Sequence, residues 1–140
     1  MARLVDSSVF ITLERQGGAP SALATLLPTE TLAIASITAS ELLTGVHRAN
    51  TPTRHARREM FVEWILAAFP IFSVDLPVAR THALLWAEMA RAGQLIGDRD
   101  MLIAATALTH GYDVLTDNLR DFARVPGLTV HQPLWPHQQP

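Results

Sequence analysis

Apolar residues in this chain fall into short unbroken runs, separated by longer segments with helical spacing. Residues 3–5, 31–35, 70–74, 112–116 and 128–130 form five such runs. A run without polar alternation predicts a strand buried on both faces, the signature of a parallel sheet. Between the runs, helices are expected from near Ser7 to Gly17-Gly18, over 19–27, 39–49, 52–69 and 77–92, and from the stretch Asp98-Arg99-Asp100 to His110. Pro52 and Pro77 sit where a first helical turn accepts proline, Asp75 precedes Pro77 as a cap, and Gly111 supplies a C-terminal stop. Thr38-Ala39-Ser40-Glu41 has the spacing of a capping box. Residues 117–122 read as a polar turn with at most one helical turn.

The order is therefore β-α-α-β-α-α-β-α-α-β-turn-β. It predicts an α/β fold: a mostly parallel sheet of four to five strands with helices on both faces. At 140 residues the chain is one domain, expected over 1–130, with a loosely held proline-rich tail at 131–140.

Composition narrows the function more than the fold. An apolar fraction of 49% with 17% charged residues belongs to a soluble globular protein, and no apolar run approaches a bilayer span. No secretory signal is read at the start, and with no cysteine the expectation is a cytoplasmic protein without thiol chemistry. Net charge is −2, yet all eleven basic residues are arginine. Genome composition accounts for that; so does a preference for phosphate, which the guanidinium fork suits. The absence of lysine excludes Schiff-base chemistry and P-loop nucleotide hydrolysis. Arg48, Arg54, Arg57 and Arg58 form the densest basic cluster, either a solvated helix face or a surface that steers phosphate.

The acidic residues carry the chemistry. Right-handed crossovers place the carboxyl ends of parallel strands on one edge, where open α/β sheets keep their sites. Asp6, Glu41 and Asp117 each follow a strand, and Asp98 and Asp100 stand at a helix mouth expected on the same edge. Singly, Asp6 reads as an N-cap and Glu41 as part of a capping box; together they read as a pocket. Crowded carboxylates need a cation to stay ionised. Oxygen donors without cysteine or a histidine cluster suit Mg2+, with Mn2+ as an alternative. Such an ion in an acidic pocket fits in-line displacement at a phosphodiester.

Four blocks of this sequence resemble the PIN-domain ribonucleases, and within them the VapC-type toxins of bacterial toxin–antitoxin pairs. They are Leu4-Val5-Asp6-Ser7-Ser8-Val9, Ser40-Glu41-Leu42-Leu43-Thr44-Gly45-Val46, Asp100-Met101-Leu102-Ile103-Ala104-Ala105, and Leu115-Thr116-Asp117-Asn118-Leu119-Arg120-Asp121-Phe122. The resemblance runs from Leu4 to Val130. It implies a PIN-like three-layer sandwich and a metal-dependent endoribonuclease acting as a toxin. It assigns metal binding to Asp6 and Asp100, and a further acidic role to Glu41. The fourth acid is Asp117 or Asp121, because Asn118 stands where some relatives carry aspartate. Ser8, Asp98, Arg99 and Asn118 become groups near substrate or supporting the acids. The family also implies an RNA substrate, a homodimer and a small cognate antitoxin protein.

Rival readings fare unequally. A receiver-type signalling domain needs a lysine that the chain lacks. An aspartyl-nucleophile phosphatase needs an acid two residues after Asp6, where Ser8 stands. A PIN-like binding or scaffold module without turnover, and a housekeeping nuclease without an antitoxin, fit the same residues.

Overall fold

The computed structural model describes residues 1–135. Its five strands are β1 (Ala2–Val5), β2 (Thr31–Ala35), β3 (Ile71–Phe72), β4 (Asp113–Leu115) and β5 (Val130–His131). They form one sheet in the order β3-β2-β1-β4-β5, every pairing parallel. The helices are α1 (Ser7–Arg15), α2 (Ala22–Leu26), α3 (Ser36–His47), α4 (Pro52–Ala68), α5 (Leu76–Arg91), α6 (Asp98–His110) and α7 (Leu119–Phe122). The chain leaves β1 for β2 on one side and later returns to place β4 on the other. Between β1 and β4 lies the point where strand order reverses, which opens a crevice at the carboxyl ends of both.

Side chains of a strand alternate between faces, and the two cores follow that alternation. Leu4, Ala33, Ala35 and Val114 pack with Leu85, Met89, Met101, Ile103, Ala104 and Phe122, beneath α5, α6 and α7. Val5, Ile34 and Leu115 pack with Val9, Phe10, Leu42, Val62 and Ile65, beneath α1, α3 and α4. The result is three layers, with apolar strand residues packed on both faces of the sheet. α6 is narrow because it lies directly against the sheet. Ile103, Ala104, Ala105 and Ala107 are fully buried, so small residues let its backbone approach.

Local signals fix three helix ends. Asp75 accepts from the Val78 N–H at 3.1 Å and Thr51 from the Arg54 N–H at 3.1 Å, each ahead of a first-turn proline. Gly111 takes φ 69°, the left-handed conformation that closes α6.

Two expectations fail. α3 starts at Ser36, directly after β2, with Ala35 at the cap position and no side-chain cap. Thr38 is therefore inside the helix, and its buried hydroxyl oxygen has no hydrogen-bond partner. The expected capping box does not form, and Glu41 projects from the second turn of the helix instead. The segment expected as a loose tail is also held: β5 includes His131, whose Nε2 lies 2.8 Å from Asp113 Oδ2, and Trp135 is 3% exposed. Residues 136–140 of that expectation lie outside the described residues. Among the described residues no helix is long and apolar enough to cross a membrane.

Candidate active site

Asp6 is the first residue after β1 and stands at the cap position of α1, but its carboxylate does not cap the helix. Oδ2 instead accepts from Ser8 Oγ at 2.7 Å and from Thr116 Oγ1 at 2.9 Å. Thr116 follows β4, so the two strands flanking the switch point meet through this pair. The Thr116 oxygen also accepts the Asn118 N–H at 2.8 Å, which holds the turn after β4 in place. Asp6 is 4% exposed, and its two hydroxyl donors answer for the burial of a charged oxygen.

Glu41 reaches the same crevice from α3. Its Oε2 accepts from Ser7 Oγ at 3.4 Å and lies 3.9 Å from the Arg99 guanidinium. Its other oxygen, Oε1, is buried with no hydrogen-bond partner. Burial raises the Glu41 carboxyl above the ordinary carboxylate range; the nearby charge of Asp6 raises it further, and Arg99 and Ser7 partly offset both.

Asp100 enters from the first turn of α6, where the helix dipole favours a negative charge. The surroundings outweigh that. Burial comes first, then the charges of Asp6, Glu41 and Asp121, and together they push the carboxyl up to about 6. Three carboxylates from three other segments, Asp6, Glu41 and Asp121, therefore bear on Asp100.

The fourth block divides its two acids. Asp121, on α7, shares the Asn118 amide with Asp100: Nδ2 lies 3.2 Å from Asp121 Oδ2 and 3.3 Å from Asp100 Oδ2. Asp117 faces the other way, accepting from Thr12 Oγ1 at 2.7 Å and from Trp135 Nε1 at 3.1 Å. The backbone separates them. The turn at 116–118 sends Asp117 toward α1, and the single turn of α7 swings Asp121 back to the cluster. Asp98 is exposed at the first position of α6, with Gly97 as the cap residue, so it neither caps the helix nor joins the four acids. Arg99 is exposed at the rim. The sequence assigns no site role to Ser7, Thr12, Thr116 or Trp135; Ser7 and Thr116 fall inside the resembling blocks, and the signal for Trp135 is a lone tryptophan in a polar, proline-rich tail.

The four acids are mutually repelling, and among the described residues no three acidic or histidine side chains converge at ligating distance as they stand. The donor set still suits a hard divalent ion. It is all oxygen, it includes a buried acceptor with no partner in Glu41 Oε1, and Asp100 carries a penalty that a cation would remove. Beside Glu41, a groove of about 340 Å³ runs between α1, α3 and α4. Phe10, Leu42 and Phe61 form its floor, and Arg15, Arg48 and Arg58 its edge.

The PIN domain family matches residues 3–128. This chain belongs to the PIN-domain family. Similar members include ribonuclease VapC1 of Rickettsia felis, 36% identical over 130 residues that cover 93% of this chain and 95% of that protein. The tRNA(fMet)-specific endonuclease VapC of Salmonella typhimurium is 34% identical over 74% of this chain and 76% of that one. Among solved structures, DNA-bound VapBC from Salmonella typhimurium superposes with a TM-score of 0.81 at 27% identity, over 94% of this chain and 98% of that one. FitAcB from Neisseria gonorrhoeae gives 0.80 at 27% identity, over 93% and 96%. The PIN-like sandwich expected from the sequence is the fold, with five strands and a wholly parallel sheet.

Proposed function

We infer that this PIN-domain protein is a metal-dependent endoribonuclease and the toxin of a toxin–antitoxin pair. One observation carries the reading: Asp100 and Asp121 share the Asn118 amide at the carboxyl end of β4, and burial with the charges of Asp6, Glu41 and Asp121 raises Asp100 to about 6. The kinship with VapC ribonucleases and with VapBC complexes supports the RNA substrate and a small antitoxin partner. We further propose Mg2+, or Mn2+, as the ion, a homodimer, and a cytoplasmic location.

Asp6 and Asp100 would hold the ion, with Glu41 and Asp121 completing the acidic wall. When bound, the ion supplies neutralising charge for the acids and Lewis-acid stabilisation for phosphoryl oxygens. The chain's own residues do the rest. Ser8 and Thr116 fix Asp6 in one orientation, leaving Oδ1 without a competing donor among these contacts. Glu41, held by Ser7 and facing Arg99 through Oε2, would orient the attacking water. Asn118 holds Asp100 and Asp121 against each other, and Arg99 offers an exposed guanidinium to a phosphate at the rim.

The purified protein should cleave RNA with Mg2+ or Mn2+, lose that activity in EDTA, and lose it on Asp6→Ala or Asp100→Ala. Cleavage that survives EDTA and both substitutions would sink the reading. A folded protein that binds the ion yet never cuts RNA would favour a scaffold module. A neighbouring reading frame for a short DNA-binding protein with a basic tail separates a toxin from a housekeeping nuclease.

A further inference from the structure

Asp117 carries a carboxylate that turns its back on the acidic cluster and is fully engaged elsewhere. Thr12 Oγ1 donates to Oδ2 at 2.7 Å, and Trp135 Nε1 donates to Oδ1 at 3.1 Å. Its backbone N–H donates to Ser8 Oγ at 3.0 Å, the same hydroxyl that donates to Asp6 at 2.7 Å. One residue thereby ties α1, the turn after β4 and the C-terminal segment, and its amide ends one atom away from the group that orients Asp6. Trp135 is buried in the core beneath α1 beside Val5 and Leu115, so its indole N–H has to find an acceptor there. The charge matters to the pairing. Both donors need an oxygen, and an asparagine would turn an NH2 toward one of them.

We propose that Asp117, gripped by Thr12 and Trp135, is a positioning residue for Asp6, and that the C-terminal segment through Trp135 belongs to the catalytic apparatus. The proposal rests on the metal-nuclease reading above. Ser8 and Thr116 converge on a single oxygen of Asp6 only while the turn at 116–118 keeps its register. Thr116 and Asn118 stabilise that turn from one side, through the 2.8 Å bond between them, and Asp117 from the other. Removing either donor to Asp117 frees one wall of the turn and lets the two hydroxyls drift apart.

The test uses the full chain with Thr12→Val, Trp135→Phe, Asp117→Asn and the conservative Thr12→Ser. Folding is checked by circular dichroism, Mn2+ binding in the absence of RNA by electron paramagnetic resonance of the free ion, and cleavage by kcat and KM. Thr12→Val and Trp135→Phe, acting on Asp6 through Asp117 and Ser8, should weaken Mn2+ binding by up to about 10-fold, the lower end of the loss for removing a direct partner of a ligand. kcat should fall by a similar factor with KM for RNA unchanged, and Thr12→Ser should behave as the parent. The double variant Thr12→Val/Trp135→Phe should lose less than the product of the two singles, because both act through one carboxylate. Folded variants that bind Mn2+ and turn over like the parent overturn the proposal. So does an Asp117→Asn variant that abolishes binding while Thr12→Val and Trp135→Phe leave it intact, since Asp117 would then be a ligand. A parent that neither binds Mn2+ nor cleaves RNA defeats the nuclease reading itself. A parent that does both, with unaffected variants, defeats the positioning role alone.

Discussion

Thr116 donates its hydroxyl to Asp6 Oδ2 at 2.9 Å, across 110 residues of chain. The bond is buried, and Thr116 is 0% exposed. Thr116→Val keeps the shape and removes both the donor to Asp6 and the acceptor for the Asn118 N–H. The Asn118 N–H is left without its acceptor, at a cost of about 1–3 kcal/mol, while Asp6 Oδ2 keeps Ser8 as a donor. Urea unfolding should show a loss in that range, and RNA cleavage should fall with it. A variant as stable and active as the parent would remove this pair from the account.

The pH dependence of stability has a definite sign. An unfolded aspartate has its ordinary value of 3.8, and folding raises Asp100 to about 6. Between those values the folded protein holds more protons than the unfolded one, so its stability falls as pH rises through the window and levels off above it. Glu41, also raised, adds a slope of the same sign. In metal-free protein, the difference in unfolding free energy between parent and Asp100→Asn should change across that window and be flat beyond it. A flat difference throughout would show that Asp100 is not under strain.

The same crowding predicts a trade between stability and activity. Asp100→Asn removes a charge that Asp6, Glu41 and Asp121 all oppose. In EDTA the variant should melt above the parent, while cleavage with Mg2+ should disappear. Adding Mg2+ should stabilise the parent and leave the variant nearly unmoved. Equal stabilisation of both would place the ion elsewhere.

Gly111 tests the frame independently of the site. Its φ of 69° is left-handed, and a Cβ there would meet nothing within 4 Å. Gly111→Ala should therefore cost backbone strain alone, about 1 kcal/mol, read as a lower midpoint in urea. Cleavage should stay at the parental level, because the acids sit at the opposite end of α6.

Much of this arrangement was legible in residue order. Unbroken apolar runs gave the parallel sheet, and the position of Asp6 just after the first run gave the edge where the acids meet. The separation of Asp117 from Asp121 was not legible. It depends on a four-residue helix whose direction is set by buried Phe122 and by hydroxyls 100 residues away, and neither leaves a local pattern. Thr38 misled for a related reason: it has the chemistry of a cap, but β2 passes straight into α3, and the helix begins at Ser36, three residues before the expected start at Ala39. Trp135 was hidden by its neighbours, since prolines and glutamines around it read as a solvated tail while the indole itself is core.

The two outer strands, Ile71–Phe72 and Val130–His131, are each two residues long. An incoming strand would find only one or two free backbone groups on either border, too few to seed a ladder. Growth by sheet extension is closed to this protein at both borders. Whatever it assembles with, a second copy or an inhibitor, has to be recognised by side chains and not by sheet extension, which leaves those surfaces free to change without disturbing the sheet that carries the acids.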